Sequence, residues 1–214
     1  MSKPPHKRSG LQAPLSIPAP RWPGEFHLEL IHEFNELFIG QLAEVAREGD
    51  SRATPAWVRT HRNLWVNLDA AARRRASRCP FLLADIQFRN ATWWRHAKNE
   101  ATWQGDPPDA GRLLPSTPAV QLMEDALVVA WSTARQDARL AVALLAMSDE
   151  VADIVARLGL RERRRIAAQH HQHLRPRWEH LSSFWGPLLI AASRDDGEAL
   201  YDLHLYAFQL ADGR

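Results

Sequence analysis

Cysteine is nearly absent. Cys79 is the only one in 214 residues, which excludes an internal disulfide and a cysteine-built zinc cluster. Lysine is almost as scarce, occurring only at Lys3, Lys7 and Lys98. The basic charge therefore rests on arginine, whose planar fork suits bidentate contacts to carboxylate or phosphate. Acidic residues nearly balance it, and a formal net charge of +2 is too little to make the whole surface a sink for nucleic acid. No apolar run reaches the length of a membrane-spanning helix. The basic N-terminus has no continuous apolar core behind it, so it does not read as a secretion signal, and a cytoplasmic location is the default expectation. The glycines are scattered, so the sequence holds no Gly-rich phosphate loop. A nucleophile elbow is missing too, and Cys79 sits before Pro80 in an apolar setting. Neither an enzyme, a cofactor nor a small-molecule substrate is expected.

What is present is helix. Apolar residues make up 45% of the chain and charged residues 24%, the balance of a globular protein with a sizeable core. The Pro-rich start is expected to be a flexible arm over residues 1–24. From Glu25 to Glu48, Leu30, Ile31, Phe34, Leu37, Phe38, Leu42 and Val45 form a wide apolar stripe. Thr54 and Pro55 then read as an N-cap and a first-turn proline of a short helix carrying Trp57, Val58, Leu64 and Trp65. A third helix, Asp69 to Ser77, bears Arg73, Arg74 and Arg75. A Pro/Gly linker is expected over 105–118. Beyond it, Gln121 to Leu145 reads as one uninterrupted helix with Leu122, Ala126, Val129, Ala130, Thr133, Ala134, Ala141, Leu144 and Leu145 on its apolar side. Ser148 caps a short helix with acids in its first turn and Val151, Ile154, Val155 and Leu158 on its buried stripe. Gly159 ends it as a residue that tolerates left-handed backbone. The next helix carries Arg161, Arg163, Arg164 and Arg165 on one part and Ile166, Ala167 and Leu174 on the other. Phe184 to Ala192 and Glu198 to Leu210 are expected to close the domain.

A short helix, a turn and an arginine-bearing second helix are the parts of a helix-turn-helix. The arginines either reach phosphates and base edges or form the solvated face of a packed hairpin. The order of the second part mirrors the first: Thr54 answers Ser148, Leu64 answers Leu158, Ala76 answers Ala168, Leu82 answers Leu174 and Trp93 answers Trp185. This reads as a degenerate tandem repeat over 25–104 and 119–214, the other reading being two unrelated amphipathic bundles. The fold expected is thus all-α, a bundle of two related helix-turn-helix-like halves.

The run from Asp125 to Trp178 resembles the D subunit of the flagellar master transcriptional activator. The likeness rests on Ala134, Asp137, Ala141, Leu145, Met147, Ser148, Glu150, Ala152, Leu158, Leu160, Ala167, Leu174 and Trp178. It covers a quarter to a third of the chain. The chain departs from the family in being about twice as long and in placing Ala146 where the family has glycine. The four-cysteine zinc site of the family's partner subunit is beyond a chain with one cysteine. The resemblance implies a regulator of transcription, acting as an oligomer or as a pseudo-dimer, with DNA as a partner and Arg73, Arg74, Arg75, Arg161, Arg163, Arg164 and Arg165 as its phosphate contacts. A helical adaptor or chaperone-like accessory protein, binding protein and not DNA, is the alternative.

Two further features call for reading. His170, His171 and His173 are close in sequence, with His180 and His204 as remote additions, but neighbouring positions on a helix point in different directions, so a polar helix exit is expected rather than a metal site. Nine tryptophans are many for this length. Most are expected to fill the core, while Trp93 and Trp94, being adjacent, are expected to place one ring at an interface.

Overall fold

The computed structural model describes residues 23–48, 54–99 and 113–212. The arm through residue 22, the turn at Gly49 and Asp50, Trp103 and residues 105–112 of the expected linker lie outside the described residues. The fold is all-α. Among the described residues there are eleven α-helices, one 3-10 turn and a two-stranded ladder of two residues per strand.

The first half begins with α1 (Pro23–Glu48), so Pro23 and Gly24 belong to a helix rather than to the arm. Ile31, Phe34, Phe38 and Leu42 are buried along it, but Leu37, expected on the same stripe, is 54% exposed. Two short helices follow, α2 (Ala56–Thr60) and α3 (Arg62–Val66), where one was expected; His61 breaks the run. Thr54 is buried and does not cap α2, whose N-cap is Pro55. Helix α4 (Ala70–Ser77) is capped by Asp69, whose Oδ1 accepts from Ala72 N at 2.7 Å. Strand β1 (Ala84–Asp85) and α5 (Ala91–Lys98) complete the half.

The second half opens at α6 (Ser116–Gln136). Leu113 and Leu114 are buried and Pro118 lies in the helix's first turn, where a missing N–H costs nothing, so residues 113–118, expected in the linker, belong to the folded second half. The long helix does not run on to Leu145. Asp137 leaves helical backbone at φ −155° and its carboxylate accepts from Arg139 N, so it caps a separate α7 (Ala138–Leu145). An aspartate can break a helix without Pro or Gly because its short side chain competes for backbone donors. Then come α8 (Asp149–Ala156), α9 (Leu160–His170), the 3-10 turn His171–His173, β2 (Arg175–Pro176), α10 (Ser182–Arg194) and α11 (Gly197–Asp212). Gly159 does not take the left-handed conformation; at φ −76° it is the extended N-cap of α9. The left-handed position is Ala146 (φ 51°), just past α7.

Packing between the halves is reciprocal. Helices α1 and α6 lie against each other; α1 carries α3 and α4, and α6 carries α8 and α9. The fifth helix of each half crosses over: α5 packs on α8 and α9, and α10 packs on α3 and α4. Strands β1 and β2 pair antiparallel, Ala84 with Pro176 and Asp85 with Arg175. Equivalent features recur at a near-constant spacing. The N-caps Asp69 and Gly159 are 90 residues apart (69, 159), as are the bonds Leu68 N to Trp65 O and Leu158 N to Val155 O. Past the ladder the spacing is 91: Gln87 and Trp178 both take positive φ, and each carbonyl accepts at 2.8 Å from the residue that caps the next helix, Asn90 or Leu181. These geometric equivalences shift the sequence alignment by four residues at its start, where Leu68 rather than Leu64 matches Leu158, and by one or two residues later on. Ala76 is buried and Ala168 exposed, so Ile166, also buried, is the match to Ala76. Trp94, rather than Trp93, matches Trp185: their indoles donate to carbonyls of Gln87 and Arg177.

The seams are aromatic. Trp57, Trp65 and Trp185 meet with centroids 5.4–5.9 Å apart where α10 crosses the first half. Trp93 and Trp94 are both buried, contrary to expectation, because α5 is covered on two sides. Trp94 stacks on Phe88, while Trp93 faces His170 and His173. Asn35 ties α1 to the segment after α4, donating to the carbonyls of Ser77 and Phe81 and accepting from Leu83 N.

Candidate nucleic-acid interface

Helix α8 starts at Ser148, whose Oγ accepts from Val151 N at 3.3 Å. Residues 157–159 turn the chain, and Gly159 N donates to Glu162 Oε2 at 2.6 Å, fixing the first turn of α9. Both helices rest on α6, which settles which side of α9 is covered. Ile166 and Ala167 are buried, and Arg161 and Arg164 point outward with Arg157 of the turn. The matching face of α4 presents Arg74 outward, followed by the exposed Arg78. Arg74 and Arg164 keep the spacing of 90 residues (74, 164) shown by the N-caps.

Three of the remaining arginines, Arg75, Arg163 and Arg165, are engaged in the fold, against the expectation that each triplet faces out as a ridge. Arg165 Nη2 donates to the carbonyls of Ala97 and Lys98, at 3.0 and 2.6 Å, at the C-terminal end of α5. Arg75 does the corresponding work at α10: its Nε donates to Ala192 O at 2.7 Å and lies 3.3 Å from Asp195 Oδ1. A cation at the end of a helix answers unpaired carbonyls and the negative end of the macrodipole. Each crossing helix is thus fastened by an arginine of the opposite half. Arg163 lies 4.1 Å over the ring of Trp131, with Arg135 at 5.0 Å from the same ring. Burial, and then the Arg135 charge, lower the Arg163 pKa. Arg73 is half-buried on α4.

His170 and His173 are buried with ring centroids 6.0 Å apart, and Trp93 approaches both edge-on. Burial pushes His173 down to about 4, with His170 adding to the effect, and lowers His170 as well. His171 bonds the Ala168 carbonyl, and His180 is exposed beside Glu179. Among the described residues, no three or more His, Cys, Asp or Glu side chains are placed to hold a metal ion. Cys79 is buried and burial pushes its thiol far up, so it is an inert core residue. Within the described residues no helix is long and apolar enough to cross a membrane.

The outward positions that sequence reasoning missed are Arg78 and Arg157. Both follow the arginine helices or precede them by one turn, and the 3.6-residue period would have placed them on the faces of Arg74 and Arg161. Arg177, buried at the ladder, gave no signal in the sequence. Scans against family models, curated proteins and solved structures find no match to this chain.

Proposed function

We propose that the chain is a regulatory protein that binds duplex DNA through its phosphates, built as a fused pseudo-dimer of two helix-turn-helix-like units. The reading rests on one observation: Arg74 and Arg164 stand at equivalent outward positions on α4 and α9, in halves whose packing is reciprocal. A single polypeptide would then offer two arginine faces, Arg74 with Arg78 and Arg161 with Arg164, to one duplex. Phosphate contacts of this kind give affinity and register with little sequence choice. The likeness of 125–178 to the flagellar activator D subunit supports the same reading, and it extends to the one departure noted there. The family's glycine falls on Ala146, which holds the left-handed conformation that favours glycine.

Filter binding of random duplex at varied salt tests this. Four arginine contacts predict a slope of log K against log salt of roughly −3 to −4. Arg161→Ala with Arg164→Ala should reduce it by about 2. No binding at low salt, or a slope the variant leaves unchanged, contradicts the reading.

One observation favours the alternative, a protein-binding adaptor. Tyr201, Leu205 and Phe208, spaced four and three apart on α11, are exposed at 62, 47 and 36%. An apolar stripe of that kind fits a partner helix or self-association. Sedimentation of the intact protein and of Leu205→Glu separates the two readings. If the stripe mediates self-association, the wild type sediments as an oligomer and the variant as a monomer.

A further inference from the structure

The two strands of the ladder lead into unlike surroundings. At the spacing of 91 residues, Ile86 of the first half matches Arg177 of the second (86, 177). Ile86 is fully buried, and Arg177 is 6% exposed. The fold therefore accepts an aliphatic side chain here, yet it holds a guanidinium. Arg177 Nη2 donates to the Leu145 carbonyl at the end of α7, while Nη1 is buried with no acceptor in the protein. A buried donor without a partner is rare and costly.

Arg177 lines a cleft of about 570 Å³ at the mouth of the ladder, within the size range of small-ligand sites. The exposed Arg89, Gln87, Asn90 and Trp178 line it too. Two of its carboxylates already have partners. Arg175 is paired with Glu179 (2.6 Å), and Asp85 accepts from Gln87 N and Phe88 N. Burial lowers the Arg177 pKa to about 10; the Asp85 charge opposes this and the Arg89 charge adds to it. Two arginines that line one cleft and repel one another are both relieved by an anion bound there.

We propose that this cleft binds a small oxyanion ligand, a carboxylate or a phosphate ester, with Arg177 and Arg89 as its charged contacts and Trp178 as an apolar wall. The site is independent of the DNA reading, since neither arginine lies on the α4 or α9 face.

Thermal melting and calorimetric titration of the full chain test it, with inorganic phosphate and benzoate as probes and chloride balancing ionic strength. At least one probe should raise Tm saturably at millimolar concentrations. Phosphate alone would assign a phosphate ester, and benzoate alone a carboxylate. Arg89→Gln, at the exposed rim, should weaken the binding about tenfold, roughly 1.4 kcal/mol. Arg177→Ile, the side chain the other half uses, should abolish it while keeping a cooperative melt, and Arg59→Gln, at an exposed position on α2, should leave it unchanged. Should Arg177→Ile fail to fold, Arg89→Gln decides alone. The absence of saturable binding by either probe, or equal binding by wild type and Arg89→Gln, overturns the proposal.

Discussion

The two halves share their scaffold and differ in what they place on it. Trp94 and Trp185 sit in crossing helices with indoles bonded to the preceding turn, and Arg75 and Arg165 fasten those same helices from the opposite side. These pairs are what either half needs in order to grip the other. The ladder exits are where the halves part: Ala84 and Ile86 on one side, Arg175 and Arg177 on the other. The buried features that recur in both halves serve the fold, and a buried side chain found in one half alone is free to serve something else.

The comparison breaks first, and by the largest margin, at the tryptophans. Trp94→Ala and Trp185→Ala each remove a buried indole and one hydrogen bond, at an expected cost of about 3–5 kcal/mol in urea unfolding. Matching roles predict matching losses. A difference between the two above about 2 kcal/mol would show that one crossing helix is only loosely held.

A pH titration distinguishes the two seams next. His170 and His173 stay neutral in the α5–α9 seam, whereas α4 and α10 contain no histidine. With folded pKa values below the ordinary 6.5, the folded state refuses protons that the unfolded chain accepts. Their stabilisation is whole above pH 6.5 and is lost as pH falls towards about 4, a change on the order of 2 kcal/mol. Amide exchange in α5 should quicken over that window before exchange in α10, and His173→Gln should flatten the response. Equal acceleration in both helices would dissociate the effect from these histidines.

The arginine fasteners come third. Arg75→Ala and Arg165→Ala should each cost about 1–3 kcal/mol, since each removes a charged donor from carbonyls at a helix end. Loss on one side alone would mean that the crossing is reciprocal in shape but not in energy. The smallest effect belongs to the turn after α7. Ala146→Gly relieves a left-handed alanine and should stabilise by about 0.5–1 kcal/mol, read as a rise in the urea midpoint. A fall would show that the methyl packs well enough to outweigh the strain.

Much of the helix content was legible because the apolar stripes are long and evenly spaced. Ser148, Asp69 and the buried faces of α6, α8 and α9 could be read from composition and period. The misreadings have local causes. Asp137 breaks a helix by accepting a backbone bond, which no breaker residue announces. Leu37 shows that an apolar residue at helical spacing need not face the core. The fate of the arginines was hidden because it depends on contacts 67 to 117 residues away, which a periodic pattern does not contain. The same holds for Trp93 and Trp94, both buried by a helix pair from the other half.

The pairing of the outward arginines is tested most directly by measuring the salt slope of duplex binding for three proteins: Arg74→Ala with Arg78→Ala, Arg161→Ala with Arg164→Ala, and all four together. If both faces contact one duplex, the two double variants should each lower the slope by about 2 and the quadruple variant should abolish salt-dependent binding. A slope that only one double variant changes, or that the quadruple variant retains, would contradict it.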